Sequence, residues 1–300
     1  MMQAGAPGSD GGERSNEDRR AVMRDVIDVH IHTAPDIFPR RVTSLEAATA
    51  ARNAGMGAIL LKSHSTDTAA RAEIVRTLTG FPVFGGVALN YPVGGLNPYA
   101  VVESAKQGGR CVWMPTISAR NFVAQSYMSP MLQAAVPAGV RGLVASHNGR
   151  LLPNVLRILD AVAKYDLMLT GGHFTPDDIC LIFEAAGARG IKRLVVNHAE
   201  WDLMKLSASD LVALVRLGAY IEITKVGPIE KRADLIRQVG VEHCFLATDG
   251  GPVGDPAPVD LLFETISGLR AVGFTSDELR HLSVDVPAYL LGLTQSVGAR

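Results

Sequence analysis

Asp28-Val29-His30-Ile31-His32 is the stretch that decides the fold, and it lies in an apolar run from Val26 to Ile31. Residues two apart in a β-strand point to the same face. His30 and His32 are therefore predicted to project side by side from one strand end, where two imidazoles can bind one metal ion. The alternating apolar residues Ile27, Val29 and Ile31 are expected on the opposite face, in packing.

Outward from this stretch, short apolar runs alternate with helical patterns, beginning with a helix that Ser44 can cap, that runs through Ala54 and that Gly55 ends. Alternating strands and helices indicate a parallel sheet, and eight such pairs close into a (β/α)8 TIM barrel. An open doubly wound sheet is the alternative, and the absence of G-x-G-x-x-G after any predicted strand argues against it. The predicted strands are Val26–Thr33, Ala58–His64, Val83–Asn90, Cys111–Ser118, Leu167–His173, Arg193–His198, Tyr220–Lys225 and Cys244–Asp249.

The alternation of strands and helices is interrupted between predicted strands 4 and 5, where residues 119–153 predict an insertion with a turn at Asn148-Gly149. We expect one barrel domain over residues 25–300, preceded by a disordered leader over 1–24 that lacks the apolar region of a secretory signal. No run reaches the roughly 18 apolar residues of a membrane span.

Composition narrows the class of protein. The chain of 300 residues is 47% hydrophobic and 20% charged, with a net charge of −1. This balance argues against a nucleic acid or membrane surface as partner and favours a small-molecule substrate. Three separated cysteines without a C-x-x-C motif predict buried thiols in a cytoplasmic protein. A homo-oligomer is expected.

Polar side chains follow the predicted strands at the edge where barrel enzymes build their active sites. Most of the eight histidines fall there, which chance placement would not produce. Imidazoles from three strands and one carboxylate suit Zn²⁺, with Mn²⁺ or Fe²⁺ as alternatives, as one or two ions. Candidate site residues at these strand ends include His30, His32, His173, His198 and Asp249.

These elements, in this order, resemble the amidohydrolase superfamily of metal-dependent hydrolases. The matching motifs are H-x-H on strand one, histidines on strands five and six, and Asp249 on strand eight. The tail Val286-Pro287-Ala288-Tyr289-Leu290-Leu291-Gly292-Leu293 is similar to the helix that often closes such barrels. The opening through Asp36, together with Trp113-Met114-Pro115-Thr116, resembles an uncharacterised amidohydrolase-like family.

One departure concerns strand four, where many binuclear members place a carboxylated lysine or a glutamate. Here that strand offers Met114, Thr116 and Ser118, which favours a mononuclear site like that of the adenosine-deaminase branch. Lys62 on strand two is a candidate for a bridging or electrostatic role instead. The resemblance implies that the metal ligands are His30, His32, His173, His198 and Asp249. It also implies that Asp249 is the proton shuttle, while His198 and Lys62 assist catalysis.

Other polar and aromatic residues are candidates for substrate binding. Arg40 and Arg41 follow strand one and could pair with a substrate carboxylate, although a solvated loop pair is the alternative. His64 lies two residues after Lys62, and Trp201 follows strand six. His147 lies in the insertion and is left without a role.

The sequence therefore predicts a metal-dependent hydrolase that attacks an amide, lactone or other cyclic C–N or C–O bond with metal-activated water. Three alternatives stay open. They are a metal-dependent non-oxidative decarboxylase, a phosphoesterase of the polymerase-and-histidinol-phosphatase type, and a barrel that binds ligands without catalysis.

Overall fold

The computed structural model describes residues 10–125 and 139–294, with side chains from residue 17 onward. Strands and helices alternate along it as predicted, and within these residues no helix is long and apolar enough to cross a membrane. The strands are β1 (Ile27–His32), β2 (Ala58–Lys62), β3 (Val83–Phe84), β4 (Gly86–Ala88), β5 (Cys111–Trp113), β6 (Ser146–His147), β7 (Arg150–Leu151), β8 (Met168–Thr170), β9 (Leu194–Val196), β10 (Ala219–Ile223) and β11 (Cys244–Leu246).

The α-helices lie before the first strand, between the strands and after the last of them. They are α1 (Asp10–Met23), α2 (Ser44–Ala54), α3 (Ala69–Thr79), α4 (Pro98–Lys106), α5 (Arg120–Gln125), α6 (Pro153–Tyr165), α7 (Pro176–Gly187), α8 (Ala208–Arg216), α9 (Ile229–Val239), α10 (Pro258–Ala271), α11 (Ser276–Arg280) and α12 (Val286–Leu290). Helix α2 ends at Ala54 as predicted, where Gly55 follows at φ 82°. Its cap is Thr43, one residue before the predicted Ser44, because the Thr43 side chain accepts a hydrogen bond from the Glu46 backbone N–H.

The strands form two parallel sheets in chain order, β1-β2-β3 and β4-β5-β8-β9-β10-β11. Neither sheet contains the reversal of strand order that a doubly wound fold requires. The strands β3 and β4 are separated by Gly85 alone, and a parallel bridge joins Ile31 to Gly250 after β11. The fold is therefore mixed α/β with parallel sheets.

The predicted insertion holds additional structure between β5 and β8. Helix α5 is followed by residues 126–138, which lie outside the described residues, and then by the antiparallel hairpin β6–β7. The predicted turn residues Asn148 and Gly149 both have positive φ, at 50° and 70°, as a tight hairpin turn requires.

The leader prediction differs from the structure over its second half. Residues Asp10–Met23 form α1, which packs near α10. Arg19 pairs with Asp260 and lies 5.1 Å from the centre of the Phe263 ring, while Met23 is fully buried. Burial of Met23 and these contacts stabilise a helix in a segment whose local composition predicts none. Residues 1–9 lie outside the described part of the chain.

Buried apolar side chains form two clusters. The larger lies between the sheets and their helices, and contains Ile31, Leu61 and Val112. The smaller contains Leu60, Trp113 and Phe245 from the strands and Leu290 from the C-terminal segment. This second cluster therefore joins strands of both sheets to helix α12.

Candidate metal centre

A register shift in β1 sets the direction of the paired histidines. The pairing with β2 slips between Asp28 and Ile31, which indicates a β-bulge. The His30 and His32 rings lie 5.3 Å apart, as the sequence predicts. The prediction that Ile27, Val29 and Ile31 share one face is wrong, because the bulge places Ile31 in the larger cluster and the other two in the smaller.

Glu222 on β10 is the carboxylate that holds His30. Its Oε1 lies 2.8 Å from His30 Nδ1, and its Oε2 accepts hydrogen bonds from Asn197 Nδ2 at 3.0 Å and from the backbone N–H of His198 at 3.2 Å. Burial raises the pKa of Glu222, but the charge and hydrogen bond of His30 outweigh burial and hold this pKa at about 2. Glu222 is therefore ionised, and its carboxylate connects His30 on β1 to Asn197 and His198, which follow β9.

Asp249 meets the histidines from the segment after β11. Its Oδ1 lies 3.1 Å from both His30 Nε2 and His32 Nε2, and its Oδ2 lies 4.0 Å from His198 Nδ1. Burial raises the pKa of this carboxyl, but His30 and His198 hold it well below its usual value. One donor atom each from His30, His198 and Asp249 lie within 4.8 Å of one another, a group that could hold a metal ion.

The backbone at two of these residues is unusual. His198 has φ 53° and Asp249 has φ 45°, in the left-handed region that side chains other than glycine rarely adopt. Position 251 is a glycine because the backbone there lies close to His32: a Cβ at Gly251 would lie 2.1 Å from the His32 carbonyl oxygen. Strained backbone of this kind clusters at functional sites.

Lys62 lies inside the site, as the sequence predicts. Its Nζ is 2.9 Å from His30 Nε2 and 5.6 Å from the centre of the Trp113 ring, and the side chain is buried. Burial lowers the pKa of Lys62, although the charges of Asp249 and Glu222 oppose that change. A lysine this deep needs a function or a charged partner to offset its desolvation.

His173 has no hydrogen-bond partner among the described residues for either ring nitrogen, although it is buried. Its ring stacks on Phe122 at 5.4 Å and meets the edges of His198 and Trp201 at 5.3 Å and 5.5 Å. Burial holds its pKa well below the usual value, so the imidazole is neutral and offers a lone pair. An unpaired buried imidazole indicates a ligand that the chain itself does not supply.

These groups open into a cavity of about 510 Å³. The polar end is formed by Lys62, Asp249 and four histidines, and the walls are mostly apolar; the four are His32, His64, His173 and His198. Residues that line these walls include Phe38, Ile117, Phe122, Trp201, Pro252 and Val253. A cavity with apolar walls and a few convergent polar groups is the usual form of a small-molecule site.

The four predicted substrate-binding residues separate in the structure. Arg40, His64 and Trp201 line the cavity, whereas Arg41 is exposed and lies outside this lining. The His64 ring stacks on His32 at 4.6 Å, and its Nδ1 lies 3.2 Å from Thr116 Oγ1. His147 is exposed in the β6–β7 hairpin.

Two acidic residues of the site had no role in the sequence prediction. Glu222 is one, and Asp28 is the other: its carboxylate accepts from the backbone N–H of His30 and from Thr248, at 3.1 Å to the amide and 2.5 Å to the hydroxyl. Asp28 lies in β1 before the H-x-H pair, and Glu222 lies in β10, so both positions carried a usable signal: a charged residue inside an apolar strand.

Comparisons with known proteins agree with this architecture. Residues 25–222 match the model of a family described as "Family of unknown function (DUF6282)". A search of the curated proteins finds no match. An amidohydrolase from Pseudomonas aeruginosa is similar in structure, with 12% identity, a TM-score of 0.60 and coverage of 92% of this chain and 99% of that one.

Two further solved structures share the fold. The 2,6-dihydroxybenzoate decarboxylase from Rhizobium is 12% identical with a TM-score of 0.52, covering 90% of this chain and 99% of its own. An enamidase described as a member of the amidohydrolase superfamily is 13% identical with a TM-score of 0.56, covering 90% of this chain and 67% of its own. The resemblance to the amidohydrolase superfamily is confirmed at the level of the fold.

Proposed function

The chain belongs to the DUF6282 family, and from the site it carries we propose that it is a metal-dependent hydrolase of small molecules. The observation that carries the proposal is the group of His30, His198 and Asp249 donor atoms beside the unpartnered imidazole of His173. Lys62 Nζ already lies 2.9 Å from His30 Nε2, but neither nitrogen of His173 has a partner among the described residues, and a divalent ion would supply one.

The residues fit such an ion by their chemistry. Two or three imidazoles and one carboxylate form the donor set of many catalytic zinc sites, which leave one position open. The hydrogen bond between His30 Nδ1 and Glu222 is the outer contact that ligating histidines usually make, and it leaves Nε2 for the ion. We propose that His30, His198 and Asp249 hold the ion and that His173 adds the next donor.

A bound ion of this kind lowers the pKa of water and polarises a carbonyl group. Asp249 is placed to take a proton from the attacking water and to return it to the leaving group. Lys62, 2.9 Å from His30 Nε2, and His198 are placed to stabilise negative charge that develops on the substrate oxygen. Glu222 keeps His30 and His198 in position throughout.

The cavity walls indicate the kind of substrate. Phe122 and Trp201 present aromatic surface next to His173, and Ile117 adds aliphatic surface. We propose an apolar or planar small molecule whose amide, lactone or other cyclic C–N or C–O bond reaches Asp249 and Lys62. His64 and Trp201 would contact the substrate ring.

The two sheets also support a finer architecture. Chain-order pairing and the Ile31–Gly250 bridge support a single closed (β/α)8 barrel, which is our proposal for the whole sheet. Such a barrel would bring the first and last strands together, and with them His32 and Asp249.

Metal analysis of protein purified without chelator tests the central proposal. We expect about one divalent ion per chain in the wild type and a loss of that ion in His30→Ala and Asp249→Asn. His147→Ala, which removes an exposed histidine from the hairpin, is the matched control and should keep the ion. Equal metal in His30→Ala and wild type would overturn the proposal, and three ions per chain would favour the phosphoesterase alternative.

A substrate screen then separates the remaining alternatives. Lactones, cyclic amides and aryl carboxylates should be tested with Asp249→Asn as the inactive control. Release of acid from a cyclic substrate supports hydrolysis, whereas release of carbon dioxide from an aryl carboxylate supports the decarboxylase. A wild type that binds the ion but turns over none of these classes favours the ligand-binding barrel.

A further inference from the structure

Arg40 makes a chain of hydrogen bonds that ends at Asp249. Its guanidinium is held by Asp36, with Nε 2.8 Å and Nη2 2.7 Å from Oδ2, and both side chains are almost fully buried. The same Nη2 lies 3.2 Å from His32 Nδ1. On the other side of that ring, His32 Nε2 lies 3.1 Å from Asp249 Oδ1.

The proton positions in this chain follow from what each group can do. Arginine has five N–H donors and no acceptor, so His32 Nδ1 must accept the bond from Arg40. Because Nδ1 accepts this bond, it carries no proton, and the ring is the neutral form of imidazole. A neutral imidazole that accepts at Nδ1 carries its proton at Nε2, which then donates to Asp249.

His30, two residues earlier, has the opposite arrangement. Its Nδ1 faces the Glu222 carboxylate at 2.8 Å, an acceptor, and therefore carries a proton. His30 Nε2 is left to bind an ion, whereas a protonated Nε2 on His32 has no lone pair to offer. The residue that faces Nδ1, a carboxylate for one ring and a guanidinium for the other, thus gives two histidines of one strand different roles.

We propose that Arg40 is a positioning residue that fixes His32 in the Nε2–H tautomer, so that His32 orients Asp249 by a hydrogen bond and does not ligate the metal. The inference rests on the proposed function for the ion held by His30, His198 and Asp249. It changes two expectations from the sequence. His32 leaves the ligand set, and Arg40 is committed to Asp36 and His32 instead of a substrate carboxylate.

Long-range ¹H–¹⁵N correlation spectra of protein labelled on histidine nitrogen test this tautomer without metal or substrate. His32 is assigned by its absence in His32→Gln. We expect the Nε2–H pattern in the wild type, loss of it in Arg40→Met, and recovery in Arg40→Lys, which restores a donor. Arg41→Met removes the neighbouring exposed arginine and should leave the pattern unchanged.

A wild-type spectrum that shows His32 protonated at Nδ1 would overturn the inference, even if Arg40→Met fails to fold. An unchanged His32 pattern in folded Arg40→Met would overturn the role of Arg40. These readings do not depend on a metal, so they hold even if the wild type binds none and the proposed function fails.

Metal titration adds a second, independent reading. Glutamine at position 32 can still donate to Asp249, so His32→Gln should weaken Zn²⁺ binding by about tenfold at most, at the low end of outer-contact effects. His30→Gln should exceed the roughly 100-fold upper end of that range. Equal losses in the two variants would show that His32 is a ligand, which overturns this inference and leaves the proposed function standing.

Discussion

Two sides of the site differ in how their imidazoles are held: the strand-one side carries His30 and His32 on β1, and the His173 side follows β8. On the strand-one side, Glu222 and Arg40 each fix one histidine through its Nδ1. On the His173 side, the imidazole contacts aromatic rings, and neither of its nitrogens has a hydrogen-bond partner among the described residues. Hydrogen bonds within the protein hold the histidines of the strand-one side, whereas His173 gains a partner when a ligand binds.

The difference teaches which part of the site determines stability and which part determines binding. Paired polar groups stabilise the fold when complete and cost much when one partner is removed. An unpaired buried imidazole does the reverse: it costs stability in the free protein and recovers that cost on binding. The following experiments measure this contrast.

Removal of the central anion should have the largest effect. Glu222→Ala leaves the His30 ring, the Asn197 amide and the His198 N–H without their acceptor, and we expect a loss of about 3–5 kcal/mol in the free energy of unfolding. Urea denaturation measures it. Glu242→Ala, at an exposed glutamate, is the control and should change stability by about 0.5 kcal/mol at most. A Glu222→Ala loss as small as the control's would remove the basis of the comparison.

Metal addition should stabilise the wild type next most strongly. At an ion concentration 100 times the dissociation constant, the gain is about 2.7 kcal/mol. Thermal unfolding with Zn²⁺ and with a chelator measures this gain. Asp249→Asn should show none of it, and an equal gain in both proteins would place the ion elsewhere.

The same substitution on the two sides should have opposite signs. His173→Leu removes two unpaired nitrogens and should raise the stability of metal-free protein by about 1–2 kcal/mol, because the desolvation penalty disappears. His32→Leu leaves Arg40 and Asp249 without a partner and should lower stability by a similar or larger amount. Urea unfolding of both variants in chelator is the measurement, and two losses of equal size would contradict the contrast.

A change far from both sides should have the smallest effect. Thr275→Ala removes the cap of α11 and should cost about 1 kcal/mol while the metal-dependent gain stays unchanged. Hydrogen bonds from Thr275 lower the pKa of Glu278. This contribution is therefore complete above the unfolded pKa of about 4.3 and is lost as pH falls through the lower folded value, so the cost should shrink in acid. A cost that grows in acid would contradict the capping account.

Much of the fold follows from local patterns. Periodicity and end signals predict the end of α2 to the residue, because Gly55 supplies the left-handed cap within the same stretch of chain, whereas the predicted cap is one residue late. The histidines at strand ends are predictable because each lies at the end of an apolar run, a signal that is also local in the sequence. Helix α1 is different, since its stability depends on Asp260 and Phe263, more than 200 positions away, and the local composition does not reveal them.

The site was predictable as a set of residues but not as a set of roles. His30, His198, Asp249 and Lys62 come together as expected. Glu222 lies 192 positions from His30, so its contact depends on the order of strands and not on a motif. Ligand and donor histidines in H-x-H cannot be separated by spacing, because what distinguishes them is the group that faces each Nδ1.

The left-handed backbone at His198 and Asp249 has a consequence for how such a site could be lost over time. Glycine at either position would relieve strain of the order of 1–2 kcal/mol and remove a donor in the same step. In a lineage where the reaction is no longer under selection, substitution to glycine at these positions would be favoured because it stabilises the fold. Glycine at these two positions in related chains would therefore identify descendants that kept the fold and lost the proposed metal site.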